Sequence, residues 1–170
     1  LHVQCLAAYG ENIVAGTEGG GVFISDDNGQ TWKEANTGLT NLTVLSLVVS
    51  GDYVFAGTQG GGVFFSDDGM NWVGTPLTSL SVYSLMASGG DILAGTNGGV
   101  FQTSNMGDTW TSMNNGLNNF IVNALLVNNS NLYSGTQDGV FIFSNSGQSW
   151  QRKNDGLITQ TVLSLAYGEN

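Results

Sequence analysis

Tryptophan recurs at a nearly constant interval, and this interval is the strongest constraint on how the chain can fold. Trp32, Trp72, Trp110 and Trp150 are separated by 40, 38 and 40 residues. Each closes a copy of one pattern, which runs V-x-[small]-L, [AS]-G-T-x-x-G, G-V-F, S-x-D-x-G-x-T-W and N-x-G-L. A period near 40 residues is typical of one supersecondary unit that is repeated and packed on its neighbours. The sequence therefore predicts four blade-sized units.

Within one unit, the pattern predicts four short antiparallel strands. In the second unit, residues 43–49 are apolar on both faces and rich in β-branched side chains, which favours a strand buried between two sheets. Further strands are predicted at 53–58 and 63–65, and a fourth begins at 71–73. Gly, Ser and Asp separate these runs, as expected for tight turns. Four strands in about 40 residues, without helical periodicity, are typical of a propeller blade.

The predicted fold is therefore all-β: a β-propeller built of four-stranded antiparallel blades. The units lie at approximately 1–42, 43–80, 81–120 and 121–160, and residues 161–170 repeat the first strand of a unit as a surplus strand. Four blades stand at the low end of the known range of about 4–8. We therefore expect an arc, either part of a larger propeller or one completed by oligomerisation.

Small residues occupy matching places in the first two strands of each unit. We expect them where blades converge and backbones approach closely, since bulk cannot fit there. Cys5 takes such a place in the first unit and is predicted to act as a small buried hydrophobe. The other small residues are Ser46, Ser84, Ala124 and Ser164 in the first strands, with the triplets 15–17, 56–58, 94–96 and 134–136 in the second strands.

The turn before each tryptophan carries a polar motif. Residues 25–32 match S-x-D-x-G-x-T-W at every defined position, and the other copies drift, with the serine of the second copy one place late. Four copies in phase resemble the Asp-box (bacterial neuraminidase repeat) propellers, which include sialidase, sortilin and xyloglucanase-like blades. The residues that carry the resemblance are Ser25, Asp27, Gly29, Thr31, Trp32, Asp67, Gly69, Trp72, Asn105, Gly107, Thr109, Trp110, Asn145, Gly147 and Trp150.

The resemblance implies that the box is a folding device placed away from any active centre. A short carboxylate or amide accepts hydrogen bonds from turn N–H groups, which explains why Asp and Asn interchange. Asp27, Asp67, Asn105 and Asn145 are accordingly predicted to hold the turns closed, with each tryptophan packed between blades. The 26–27 and 67–68 acidic pairs leave Ca²⁺ open as a ligand, but Asn at two of four sites and the lack of an EF-like ligand series argue against it. No cofactor or metal is predicted.

Catalysis is not expected from these residues. Sialidases bind the substrate carboxylate with three arginines, and this chain has only Arg152, which excludes a sialidase for the chain acting alone. Glycoside hydrolysis needs two carboxylates across a cleft, but most acids here belong to boxes or turns. His2 is the single histidine and stands at the beginning of the sequence. We therefore predict no catalytic residues, with a glycoside hydrolase as the open alternative.

Charge and hydropathy limit the classes of partner that the chain is expected to bind. Three basic residues against thirteen acidic ones give a net charge of −10, which disfavours nucleic acid and anionic membranes. No apolar run reaches the roughly 18 residues of a membrane span, so no insertion is predicted. The repeats resemble tandem propeller segments of secreted or surface proteins, which implies a secreted or cell-surface location. Asn41 and Asn128 begin N-glycosylation sequons.

The two ends of the chain predict association. Residues 1–9 and 161–167 are apolar strands of the same phase, and a lone strand is an open edge that seeks a partner. They are expected to pair with further propeller blades or other protomers by strand addition. Glycans and extracellular proteins are further candidate partners, because exposed tyrosines and uncharged polar loops suit both. The predicted function is a non-catalytic structural, assembly or binding scaffold; the alternative is a carbohydrate-active propeller, either a lectin or part of a glycosidase cleft.

Overall fold

Short strands joined by glycine-rich turns account for the whole architecture. The computed structural model describes residues 1–128, 131–144, 148–158 and 160–168, in which there are sixteen strands and no helix. The strands are β1 (Val3–Tyr9), β2 (Asn12–Thr17), β3 (Gly21–Ser25), β4 (Lys33–Glu34), β5 (Val44–Ser50), β6 (Tyr53–Thr58), β7 (Gly62–Ser66), β8 (Val73–Gly74), β9 (Val82–Ser88), β10 (Asp91–Thr96), β11 (Gly99–Thr103), β12 (Thr111–Ser112), β13 (Val122–Asn128), β14 (Asn131–Thr136), β15 (Gly139–Ser144) and β16 (Ser149–Arg152).

The strands form four separate antiparallel sheets, each taken from consecutive strands. Blade 1 consists of β1–β4, blade 2 of β5–β8, blade 3 of β9–β12 and blade 4 of β13–β16. Each sheet lies within one of the four predicted units. The all-β fold of four-stranded blades, forming part of a propeller, is therefore confirmed. Nothing in the described residues forms a helix long and apolar enough to cross a membrane.

Both faces of the central strands are buried, as the apolar runs predicted. In β6, Val54 and Ala56 pack into the cluster shared with blade 1, whereas Phe55 between them packs into the cluster shared with blade 3. Side chains alternate across a strand, so one β-strand serves two cores. The described core thus consists of three apolar clusters, one at each junction between consecutive blades. We call each junction a joint.

Small residues lie where neighbouring blades meet. The first and second strands of each blade pair the small residues with the glycine of the A/S-G-T triplet, as in Ser46 opposite Gly57. A Cβ built on Gly57 would lie 2.7 Å from Val82 Cγ1, which belongs to blade 3. The same approach brings a valine to within 2.6–2.8 Å of the Cβ position at the other three triplets: Val44 at Gly16, Val122 at Gly95 and Val162 at Gly135.

Cys5 occupies the place of these small residues in blade 1. It pairs with Gly16, and its Sγ lies 4.0 Å from Val44 O of the next blade. The side chain is half-buried, and burial raises the pKa of the Cys5 thiol to about 11. The thiol is therefore protonated at neutral pH and packs as a small apolar group.

The end of the chain differs from the predicted surplus strand at 161–170. Residues 160–168 form no strand, and 169–170 lie outside the described residues. None of the four described sheets includes them. Val162 nevertheless contacts Gly135, the same contact that Val122 makes with Gly95. Residues 160–168 therefore begin at the place of the inner strand of a next blade.

Candidate functional site

The turn between the third and fourth strands of each blade, the box turn, is held by side-chain hydrogen bonds. In blade 1 it spans residues 25–32. Ser25 Oγ accepts from Gly29 N at 2.8 Å and donates to Asp27 Oδ1 at 2.8 Å. Asp27 in turn accepts from Thr31 N at 2.9 Å and from Thr31 Oγ1 at 2.6 Å. Asn28 and Gly29 have φ of 60° and 83°, a conformation that Asn and Gly tolerate best.

Blade 2 corrects one prediction: Asp68, rather than Asp67, holds its box turn. Ser66 Oγ donates to Asp68 Oδ1 at 2.9 Å and accepts from Gly69 N at 2.9 Å. Asp68 also accepts from Asn71 N at 2.8 Å and from Asn71 Nδ2 at 2.6 Å. The turn is one residue shorter than in blade 1, so the serine and the carboxylate both move one place towards the tryptophan. Asp67 contributes its backbone carbonyl instead.

Blade 3 performs the same job without a carboxylate. Thr103 Oγ1 donates to Asn105 Oδ1 at 2.8 Å and accepts from Gly107 N at 3.0 Å. Asn105 accepts from Thr109 N at 3.0 Å and donates to Thr109 Oγ1 at 2.9 Å. In blade 4, the predicted Asn145 and Gly147 lie outside the described residues. In the three box turns that the structure describes, the polar side chains of the motif therefore hydrogen-bond within their own turn.

These bonds have an electrostatic consequence. Hydrogen bonds from Thr31, and then from Ser25, lower the pKa of the Asp27 carboxyl to about 2. Bonds from Asn71, and then from Met70, lower the pKa of Asp68. A hydrogen bond and ion pair with Lys33 at 2.8 Å lower the pKa of Asp26 and raise the pKa of Lys33. All three carboxylates are therefore held in the ionised form.

The asparagine of the N-x-G-L segment holds a second turn of the blade, a role that the sequence pattern did not predict. Asn36 Oδ1 accepts from Val22 N at 2.7 Å and Asn36 Nδ2 donates to Gly20 O at 3.0 Å, which fastens the β2–β3 turn. Asn114 and Asn154 make the corresponding bonds in blades 3 and 4. The signal was present, because asparagine recurs at these three places, but no chemistry was assigned to it.

Two of the three described joints, between blades 1 and 2 and between blades 3 and 4, are further held by the tryptophan of one blade and the loop after the fourth strand of the preceding blade. Trp72 is 4% exposed. Its Nε1 donates to Ala35 O at 2.7 Å, and its backbone N donates to Thr37 O at 2.7 Å. Trp150 repeats both bonds, with Met113 O and Asn115 O as acceptors. These two indoles lie between blades, as predicted.

The other two tryptophans differ. Trp110 is half-buried, and its Nε1 is buried without a hydrogen-bond partner among the described residues. Blade 2 has only Thr75, Pro76 and Leu77 where blade 1 has residues 35–39, so the loop that would accept the indole bond is two residues shorter. Trp32, in blade 1, is 41% exposed.

Tyr9 adds a hydroxyl bond across the joint between blades 1 and 2. Its Oη donates to Asp52 O at 2.9 Å and also to Asp67 O. Burial, and then the nearby Asp67 carboxylate, raise the pKa of the Tyr9 hydroxyl. It therefore remains a donor throughout the physiological range. The sequence pattern assigned no role to Tyr9, and it considered Asp68 only as one of an acidic pair.

The remaining side chains that could take part in catalysis or ligand binding do not form one group. Arg152 pairs with Asp138 at 2.8 Å, within blade 4. His2 lies 3.6 Å from Glu18, and both are exposed. In the described ranges, no three His, Cys, Asp or Glu side chains are grouped as they would be to hold a metal ion. Of the sequons, Asn41 donates from Nδ2 to Gln59 O at 2.8 Å, and Asn128 ends β13, with the rest of its sequon outside the described residues.

Among the clefts formed by the described residues, two are of a size that could receive a ligand or a partner. The first, of about 430 Å³, lies on the outward face of blade 1 and is almost wholly apolar. The second, of about 520 Å³, lies between blades 3 and 4 and mixes amide groups with aromatic surface. Its lining includes Gln102, Asn114, Asn115, Phe143 and Gln148.

The blade geometry agrees with a known family. The family model of the DUF6242 beta propeller domain matches residues 6–120, which is more than half of the chain. The chain belongs to the DUF6242 β-propeller domain family. No curated protein sequence matches it at a significant level.

Several solved structures are similar to this DUF6242 segment over most of its length. An ancestral GH74 enzyme is 24% identical, with a TM-score of 0.77, over 89% of this chain and 24% of its own. The extracellular domain of a one component system from B. thetaiotaomicron is 19% identical, with a TM-score of 0.80, over 95% and 24%. The computationally designed Ika8 protein is 18% identical, with a TM-score of 0.70, over 99% and 54%. The chain thus spans about a quarter of the first two structures and about half of the third.

Proposed function

We propose that this chain is a non-catalytic, secreted or cell-surface propeller segment that serves as a structural, assembly or binding scaffold. The observation that carries the proposal is the use made of its polar side chains. The carboxylates of Asp27 and Asp68, the amide of Asn105 and the only arginine are all engaged in bonds within their own blades. Groups used in this way fix the fold and are not free to bind or activate a substrate.

The electrostatics support the same proposal. A general acid or base that works near neutral pH needs a pKa shifted towards 7. The shifted carboxylates here, Asp26, Asp27 and Asp68, have pKa values moved in the opposite direction. We therefore propose no catalytic residue, no cofactor and no resident metal for the chain itself.

Location and family are proposed on two further grounds. The B. thetaiotaomicron neighbour is an extracellular domain, which supports a secreted or cell-surface position for this segment, with Asn41 and Asn128 as glycosylation sites. The bonds of Ser25, Asp27 and Thr31 support the resemblance to Asp-box propellers. As partners we propose further blades or other protomers at residues 1–9 and 161–167, and glycans or extracellular proteins elsewhere on the surface.

The cleft between blades 3 and 4 favours a second candidate, a carbohydrate-binding propeller. Amides such as Gln102 and Asn115 offer donors and acceptors together, and the ring of Phe143 offers an apolar face. This combination suits the hydroxyl groups and C–H faces of a neutral sugar. One structural neighbour is, in addition, a GH74 enzyme.

Turnover assays separate these proposals. The chain is incubated with a panel of plant, bacterial and host polysaccharides, and the release of reducing ends is measured. A scaffold releases none. Release that one Asp→Asn or Glu→Gln substitution abolishes, with the fold intact by circular dichroism, contradicts the non-catalytic proposal. Binding on a glycan array without turnover, lost in Phe143→Ala but retained in Val73→Ala, supports the lectin instead.

A further inference from the structure

The outward face of blade 1 carries the same residue types that blade 2 uses to pack on blade 1. Leu6, Ala15, Phe23 and Trp32 form this open face, and their counterparts in blade 2 are Leu47, Ala56, Phe64 and Trp72. Trp32 is 41% exposed where Trp72 is 4% exposed, and Leu6 is 62% exposed. An exposed apolar surface of this kind marks an interaction site.

The far side of blade 4 carries the complementary half of a joint. Tyr133, Val140, Ile142 and Leu157 form this end face. They correspond to Val14, Val22, Ile24 and Leu39 of blade 1, which blade 2 covers. Leu157 is 43% exposed, whereas Leu39 is 7% exposed. Tyr133, Val140 and Ile142 are only half-buried, although Val14 and Val22 are fully buried.

We propose that two copies of the chain associate head to tail, with the open face of one packed on the end face of the other. The contact reproduces the joint between blades 1 and 2 position for position, with Tyr133 in the place of Val14. Trp32 takes the part of Trp72, so its Nε1 donates to Lys153 O, which corresponds to Ala35 O. Gly156 takes the part of Gly38, where a Cβ would strike the backbone of Trp72; at Gly156 that space is open.

In the proposed contact, the first strand of the incoming blade lies beside β14, at the position that residues 160–168 hold in a single copy. Residues 160–168 now occupy that place, held by Val162 N donating to Thr136 O at 2.9 Å and by Asn123 Nδ2 donating to Val162 O at 3.0 Å. β1 of a second copy is instead paired with its own β2 along its whole length. It therefore displaces residues 160–168, because a paired strand satisfies more backbone groups there.

Charge and size favour a second copy in this orientation. Residues 1–34 hold five acidic residues and one basic residue, whereas residues 122–158 hold two of each. Head-to-tail contact places the most acidic blade against a neutral one, while contact between two open faces would oppose two acidic blades. The chain covers 54% of the designed Ika8 protein that it resembles, so two copies match that length.

The inference deepens the assembly role proposed above and rests on it, but its test is independent of turnover. The mass of the full chain is measured by light scattering between about 1 and 500 µM. We expect a species of two chains. Leu6→Asp and Leu157→Asp each weaken association at least about tenfold, since each places a charge in the buried contact. Val73→Asp, also exposed but on β8, leaves association unchanged.

Mixing the variants identifies the geometry. Leu6→Asp retains its end face and Leu157→Asp retains its open face, so an equimolar mixture forms one intact contact and recovers a two-chain species. Val162→Asp, which loosens residues 160–168, strengthens association. The proposal is overturned if the wild type stays monomeric, if neither end variant weakens association, if the mixture does not recover it, or if Val162→Asp abolishes it. Folding of every variant is checked by circular dichroism.

Discussion

At the scale of single residues, the box turns show one geometry made by different side chains. Asp27, Asp68 and Asn105 accept the same turn N–H bonds, so the requirement is for a short oxygen acceptor. The sequence predicted this role for the pattern but assigned Asp67 in blade 2. Two adjacent aspartates satisfy the pattern equally well, and only the length of the turn, which the serine shares, decides between them.

Stability at acid pH is expected to depend on these carboxylates. The pKa of Asp27 is about 2 in the folded chain and about 4 when unfolded. A lowered folded pKa contributes stability that is present above pH 4 and lost as the pH falls towards 2. Asp27→Asn keeps an acceptor, as Asn105 does, but cannot titrate. Its unfolding free energy should therefore decline less between pH 4 and 2 than that of the wild type, measured by urea titration at each pH.

The matched control is Asp108→Asn in the box turn of blade 3. Its carboxylate accepts no hydrogen bond from the described residues, so the variant should keep the wild-type dependence on pH. An equal decline for Asp27→Asn and the wild type would show that the turn bonds do not couple to folding.

At the scale of elements, the strands were predictable from short apolar runs such as residues 43–49, separated by turn residues. The contacts at the joints were harder to predict from the sequence. The sequence placed four tryptophans between blades, but only Trp72 and Trp150 bond to the loop before them. The spacing pattern alone does not show that Trp32 is 41% exposed, or that a loop shortened by two residues leaves the Trp110 indole without a hydrogen-bond partner among the described residues.

The close approach of strands at the A-G-T triplet gives a sharp test. Gly57→Ala would place a methyl group 2.7 Å from Val82 Cγ1 and closer still to Ser46 Oγ. We expect a loss of about 1–3 kcal/mol in unfolding free energy, as for an overpacked core. Gly74→Ala is the control, since its nearest neighbour, Phe64 Cε1, is 3.4 Å away. If the two variants are equally stable in urea titrations, the blades can move apart without cost.

At the scale of the whole molecule, the arc is a row of sheets in which each apolar cluster joins only consecutive blades. Stability in such a row is close to a sum over units and joints. The joint between blades 2 and 3 lacks both tryptophan bonds, although its apolar cluster is intact. We therefore expect it to be the weakest of the three joints in the described residues, although Ser46 Oγ donates across it to Val82 O at 3.1 Å.

Hydrogen exchange should locate that weakness. The backbone N–H groups of Trp72 and Trp150 donate to Thr37 O and Asn115 O, whereas that of Trp110 has no such acceptor in the described part of the chain. We expect the Trp110 amide to exchange at least about tenfold faster than the other two, because local opening costs less free energy there. Residue-resolved exchange measured by NMR provides the comparison. Equal protection at the three positions would contradict a weak central joint.

The bonds that the indoles make have a consequence for how such chains diversify. Trp72 and Trp150 donate hydrogen bonds to main-chain carbonyls. These belong to alanine and threonine in the first case and to methionine and asparagine in the second. A carbonyl is the same whatever side chain it carries. Neighbouring units can therefore drift apart in composition while still recognising each other, so long as the loop keeps its path. A lineage of this kind can change its surface residues and still keep the joints between its blades.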